Sequence, residues 1–102
     1  MERQLRIEDI KCDNPELGRR LIDIAMLEFE RKFKHKPIYE LSFDPVDEIY
    51  FFTIINLPDY DDILTLNIEY DELISRAIEK NEISFNEYAT SQVIVSFSCL
   101  IP

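Results

Sequence analysis

Between Glu48 and Asn56 the chain runs Ile49-Tyr50-Phe51-Phe52-Thr53-Ile54-Ile55, β-branched or aromatic throughout and without a charge. Such a run suits a pleated strand and suits a helix poorly. Neither of its faces is polar, so it predicts a central strand buried on both sides. With 102 residues in all, one core of this kind and a single domain over residues 1–102 follow.

The flanking segments give an α+β outline. Before the strand, Asn14 is a good N-cap and Pro15 suits a first helical position. Leu17, Leu21, Ile22, Ala25, Met26, Phe29 and Phe33 then recur at spacings of three and four, which predicts a helix over 15–34. The cations Arg31, Lys32, Lys34 and Lys36 suit its negative end, and Pro37 stops it. The chain's one glycine, Gly18, lies inside this helix and implies close backbone packing there. Residues 1–13 read equally as a short strand or a helical turn.

Two more strands are expected. In 38–43, Tyr39, Leu41 and Phe43 share a face, and Asp44-Pro45-Val46-Asp47 is a turn signal. In 63–70, Leu64, Leu66, Ile68 and Tyr70 alternate with polar residues. Short connections between 38–43, 48–56 and 63–70 predict a three-stranded antiparallel meander. Asp71 can cap a second helix over 72–80, with Asn81 ending it in the left-handed conformation. Ser84-Phe85-Asn86-Glu87 matches a capping box. The box favours one further helix to about Leu100. The alternative is a short helix to about Ser91 and a fourth strand over 92–99, as Val93-Ile94-Val95 prefers.

Several chemistries lack their parts. A single glycine cannot build a Gly-rich phosphate loop, and a single histidine, His35, cannot build a multi-His metal site. Cys12 and Cys99 form no C-x-x-C pair, and whether they approach each other is open. Glu87 resembles the last ligand of a calcium loop, but aligning it there places Arg76, Ile78 and Lys80 where oxygen ligands belong. Asp59, Asp61 and Asp62 could gather around a divalent ion, and a polar turn explains them as well. No complete catalytic set is present, so the expectation is a non-enzymatic protein without a cofactor. The segment MERQLRIEDIK has no apolar stretch of a secretion signal, which favours a cytoplasmic protein with reduced thiols.

Charge is the feature left over. The formal net charge is −10. Residues 1–36 hold nine Lys/Arg against eight Asp/Glu, whereas residues 37–102 hold two against thirteen. Such a balance disfavours direct binding to nucleic acid or to anionic membranes. Uncompensated like charge opposes compactness, and a cationic partner would relieve it. The expected function is therefore an acidic binding protein that neutralises a basic protein, as immunity proteins and antitoxins do to nuclease toxins, or as nucleic-acid mimics do. The candidate partner-binding residues are Asp44, Asp47, Glu48, Asp59, Tyr60, Asp61, Asp62, Glu69, Asp71 and Glu72, with Tyr60 as the aromatic anchor. A second expectation is a structural or regulatory module that docks, or pairs as a homodimer, through the wide apolar face of the first helix.

Overall fold

The computed structural model describes residues 5–99. A single 3-10 turn, Ile7–Asp9, precedes helix α1 (Pro15–Phe33). Strands β1 (Tyr39–Asp44) and β2 (Ile49–Leu57) follow, then helices α2 (Tyr60–Glu79) and α3 (Phe85–Ala89) and strand β3 (Val93–Cys99). The sheet order is β1-β2-β3. β1 pairs antiparallel with β2, and β3 pairs parallel with it. The fold is α+β, as expected, but the sheet is mixed.

Helix α1 forms as its sequence dictates. The Asn14 side chain accepts from the Leu17 N–H at 3.1 Å, and Pro15 starts the helix. Lys34 closes it in the left-handed conformation (φ 62°), its N–H donating to the Glu30 carbonyl. Leu17, Leu21, Ile22, Ala25 and Phe29 are all buried in the chain's own core. The apolar face that suggested a docking or dimerisation surface is thus already covered, and Leu27 is the large apolar residue of α1 that remains exposed.

The hairpin also follows the sequence. Asp44 Oδ1 accepts from the Val46 and Asp47 N–H groups, which tightens the turn. Tyr39, Leu41 and Phe43 oppose Ile54, Phe52 and Tyr50 on the covered face. The expectation that β2 is buried on both sides is corrected. Tyr50, Phe52 and Ile54 are buried, but Phe51 on the other face is 38% exposed and its neighbour Ile94 is 43% exposed. The reason is that both long helices lie on one side. Gly18 of α1 meets Val93, and Tyr70 of α2 meets Phe97 with ring centroids 5.8 Å apart. Val93 and Phe97 point to the same face of β3.

Two further expectations are corrected in the second half of the chain. Residues 63–70 are not a strand, and no helix begins at Asp71. One helix, α2, covers Tyr60–Glu79. Leu66, Tyr70, Ile74 and Ala77 are its buried stripe, at helical spacing, while Leu64 and Ile68 point to solvent. The third strand is instead Val93–Cys99, so strand propensity prevails over the single-helix reading. Leu100, where that helix was expected to end, lies outside the described residues. The capping signal is satisfied by α3 alone. Ser84 Oγ accepts from the Glu87 N–H, while the Glu87 carboxylate accepts from Asn14 Nδ2 instead of returning to Ser84. Asn81 does adopt the left-handed conformation after α2 (φ 60°).

Buried polar groups tie the layers together. The Tyr50 hydroxyl accepts from the Lys11 N–H, anchoring the segment before α1 to the sheet. The Tyr70 hydroxyl donates to the Leu21 carbonyl, and burial pushes its ionisation far above the ordinary tyrosine value. Cys12 and Cys99 are both free and half-buried. Cys12 lies by Gly18 and Val93, so the length of β3 separates the two thiols, about 20 Å at the usual rise.

A charged cluster joins α1 to α2. Glu28, 8% exposed, accepts a two-pronged contact from Arg31 at 2.7 and 2.8 Å. Lys32 Nζ donates to Glu69 Oε1 at 2.9 Å. The Arg31 hydrogen bond holds the Glu28 carboxyl below its ordinary 4.5, burial opposing it. A depressed folded value means that this contribution is present above pH 4.5 and is lost as pH falls through the folded value. Denaturant midpoints of the wild type and Glu28→Gln should therefore differ by a constant amount above about pH 5 and converge below it. A gap that persists unchanged at about pH 3 would contradict the assignment.

Candidate protein-binding surface

The elements place the ten acid-segment candidates very unevenly. Asp44, Asp47 and Glu48 lie at the β1–β2 turn. Asp59, Tyr60, Asp61 and Asp62 lie past the other end of β2, about 25–30 Å away along a nine-residue strand. The remaining three belong to the middle of α2. Asp71 lines a groove with Ile49, the first residue of β2, so α2 runs back towards the turn end of that strand as a helix and not as a third strand.

Asp59 has a local task. Pro58 breaks the strand run, and the Asp59 side chain then accepts from the Asp62 N–H at 3.1 Å as the N-cap of α2. Asp61 and Asp62 in the first turn suit the positive end of the helix. Replacing Asp59 with alanine should cost about 1 kcal/mol of stability, read from chemical denaturation. A change below a few tenths would mean that the cap is dispensable. Asp59 is therefore a residue of the fold. Among the described residues, no three His, Cys, Asp or Glu side chains stand together as a metal-holding group.

Glu69 also leaves the candidate surface. It sits between the helices, engaged by Lys32, with Arg31 at 4.0 Å from its second oxygen. Asp44 is occupied by its own turn. Of the four tyrosines that fall among the acids, Tyr50 and Tyr70 are buried, Tyr39 is half-buried and stacks on Phe52, and Tyr60 alone is mostly exposed.

What remains is one ridge on α2. Tyr60, Leu64 and Ile68 follow at intervals of four, so they share a face. They are 68%, 65% and 61% exposed. Asp61, Asp71 and Glu72 are exposed on the same helix, and Glu72 has only a long contact, 3.9 Å, to Arg76. The ridge thus offers three apolar side chains and three carboxylates on a rigid element. Leu64 and Ile68 are the residues that the sequence reading assigned inward. Their four-residue spacing from Tyr60 was the signal that could have placed them.

The acids also reach round to β3. Burial raises the Cys99 thiol above its ordinary value, and Asp59 and Asp62 add to the shift, so α2 begins beside the Cys99 end of that strand. On the opposite flank, the Lys36 carbonyl accepts from Asn56 Nδ2, which brings the basic run after α1 to the β1 side of the same end. The acids at the start of α2 therefore stand on the β3 side of the molecule, whereas Glu40, Asp44, Asp47 and Glu48 belong to β1 and its turn. No family model, curated protein or solved structure matches this chain.

Proposed function

We propose that this chain is a small, non-catalytic binding protein that neutralises a basic protein partner, in the manner of an immunity protein or antitoxin against a nuclease-type toxin, or of a nucleic-acid mimic. One observation carries the proposal. Within residues 37–102, which hold thirteen acids and two bases, the longest helix presents Tyr60, Leu64 and Ile68 amid Asp61, Asp71 and Glu72. Carboxylates on such a ridge would take the place of phosphates opposite Arg and Lys, speeding encounter and selecting the partner. Tyr60 and its two apolar neighbours would supply the desolvated centre that charge alone does not. Asp44, Asp47 and Glu48, at the far turn, would add only to the long-range field.

The test is affinity capture from cells with the wild-type chain and with the triple variant Asp61→Asn, Asp71→Asn, Glu72→Gln. These three side chains accept no hydrogen bond from the backbone, so the variant should fold. A basic protein should be retained by the wild type at about 50 mM salt, released at about 500 mM and bound at least tenfold less by the variant. Equal retention by both columns would rule out the ridge. Partners that survive the high-salt wash would favour apolar docking through Leu64 and Ile68 over charge neutralisation.

A further inference from the structure

The two edges of the sheet are protected differently. The β1 edge carries Glu40 and Asp44 and is bracketed by Pro37 and Pro45, the usual devices that stop an edge from recruiting another strand. The β3 edge has none of them. From Thr90 to Cys99 there is no charged residue and no proline, and among the described residues no strand lies beyond β3.

The register shows which backbone groups point outward. The Tyr50 N–H donates to the Gln92 carbonyl at 2.7 Å, so Gln92 and, by alternation, Ile94 and Ser96 face β2. Val93 faces away, and Ser91 Oγ contacts both its N–H (3.2 Å) and its carbonyl (3.4 Å). Val95 and Phe97 also face away, each offering an N–H and a carbonyl with no partner among the described residues.

Beside this edge runs a groove of about 430 Å³. Val93 and Val95 form one wall, Asn67, Tyr70 and Asp71 of α2 the other, and Tyr88 closes one end. A strand paired to Val95 and Phe97 would lay alternate side chains into this groove, as in known modes of strand addition between an edge and a helix. The charge of the rim selects the occupant. Asp71 lines the groove, Asp59 and Asp62 stand at the Cys99 end, and no Lys or Arg among the described residues lines it. A second copy of the chain, itself at −10, would set acid against acid.

We infer that the β3 edge and the adjoining α2 groove bind an extended segment of a partner protein as a fourth strand, with apolar and basic residues alternating. The inference rests on the neutralising function proposed above and supplies the form in which the basic partner is held.

The probe is the blocked peptide acetyl-Lys-Val-Lys-Val-Lys-Val-amide, titrated into the isotope-labelled chain and followed by amide chemical shifts. Two controls accompany it, the same peptide N-methylated at alternate residues and the version with Glu for Lys. The Val95, Phe97 and Tyr88 amides should shift, and each control should bind at least tenfold more weakly. Val95→Pro removes the outward N–H and no hydrogen bond of the β2–β3 ladder, and should abolish the shifts of Phe97 and Tyr88. Should that variant unfold, the N-methylated peptide tests the same hydrogen bonds from the other side. If both Lys peptides shift the exposed α2 residues equally and leave Val95 and Phe97 unmoved, strand addition is wrong and the neutralising function stands. If neither Lys peptide shifts any amide, both fail. Shifts at Val95 and Phe97 that depend on protein concentration, without peptide, would assign the edge to a second copy and overturn the inference.

Discussion

Phe52→Ala should destabilise the fold by about 3–5 kcal/mol. Phe52 sits at the centre of β2, fully buried, between Leu41 of β1 and Val95 of β3 in the register. Its ring packs against Tyr39 with centroids 4.9 Å apart. Neighbours on both sides are held by strand pairing, so they cannot collapse into the space that the ring vacates, and the cavity term is felt nearly in full. For a domain of this size, total stability is of order 5–15 kcal/mol, so the variant should be marginal. Urea denaturation should show a midpoint reduced by half or so with an unchanged slope. A loss below about 1 kcal/mol would mean that the core around β2 is plastic.

The second large effect is expected at Gly18, and it has an unusual sign. Alanine in place of a mid-helix glycine ordinarily stabilises by about 1 kcal/mol. Here the new Cβ would stand 2.8 Å from Val93 Cγ2, with Val93 Cβ at 3.7 Å and Cys12 Sγ at 3.9 Å. Val93 is β-branched, buried and fixed in β3, so its methyl has little freedom to withdraw. Overpacking of this kind costs about 1–3 kcal/mol and should outweigh the gain in propensity. Gly18→Ala should therefore destabilise the wild type. The decisive comparison is the background: with Val93→Ala in place, the clash is gone and Gly18→Ala should become neutral or stabilising. A double-mutant cycle should return a coupling of about 2 kcal/mol. Additive effects would show that the helix shifts to admit the methyl.

How much of this was legible beforehand differs by element, and the reasons are physical. Helix α1 and the hairpin were readable because each has one apolar face and strong local punctuation: Asn14-Pro15 and Pro37 for the helix, Asp44-Pro45 for the turn. Gly18 was readable too, since a lone glycine in a helix needs a reason and contact with β3 provides one. Helix α2 was misread because it has two apolar stripes. Leu66, Tyr70 and Ile74 serve the core, whereas Tyr60, Leu64 and Ile68 serve none. Superposed, Leu64, Leu66, Ile68 and Tyr70 imitate the two-residue period of a strand. The rule failed where apolar residues face water, which is also where the candidate binding ridge lies. Strand β3 was visible as propensity but lost to a capping signal that needs only five residues to be satisfied. Nine acids and Tyr60 were named from composition and spacing. The structure shows that capping occupies Asp59, an interhelical cation holds Glu69, and the β1–β2 turn uses Asp44. Charge count cannot separate such duties, because each depends on where the chain returns in space.

The parallel pairing of β3 with β2 sets an order of assembly. Phe43 meets Tyr50 across a short turn, but Tyr50 waits for Val93. Closing that longer loop costs about 1–2 kcal/mol more in chain entropy. The hairpin and the helices should therefore form early, and the sheet should be completed last. A ribosome delivers β2 well before β3, at about 5–20 residues per second. For that interval of seconds, the most apolar run in the chain has one unpaired margin. Newly made chains should thus be most prone to clump during synthesis, and slower translation between Leu57 and Val93 should lower the folded yield.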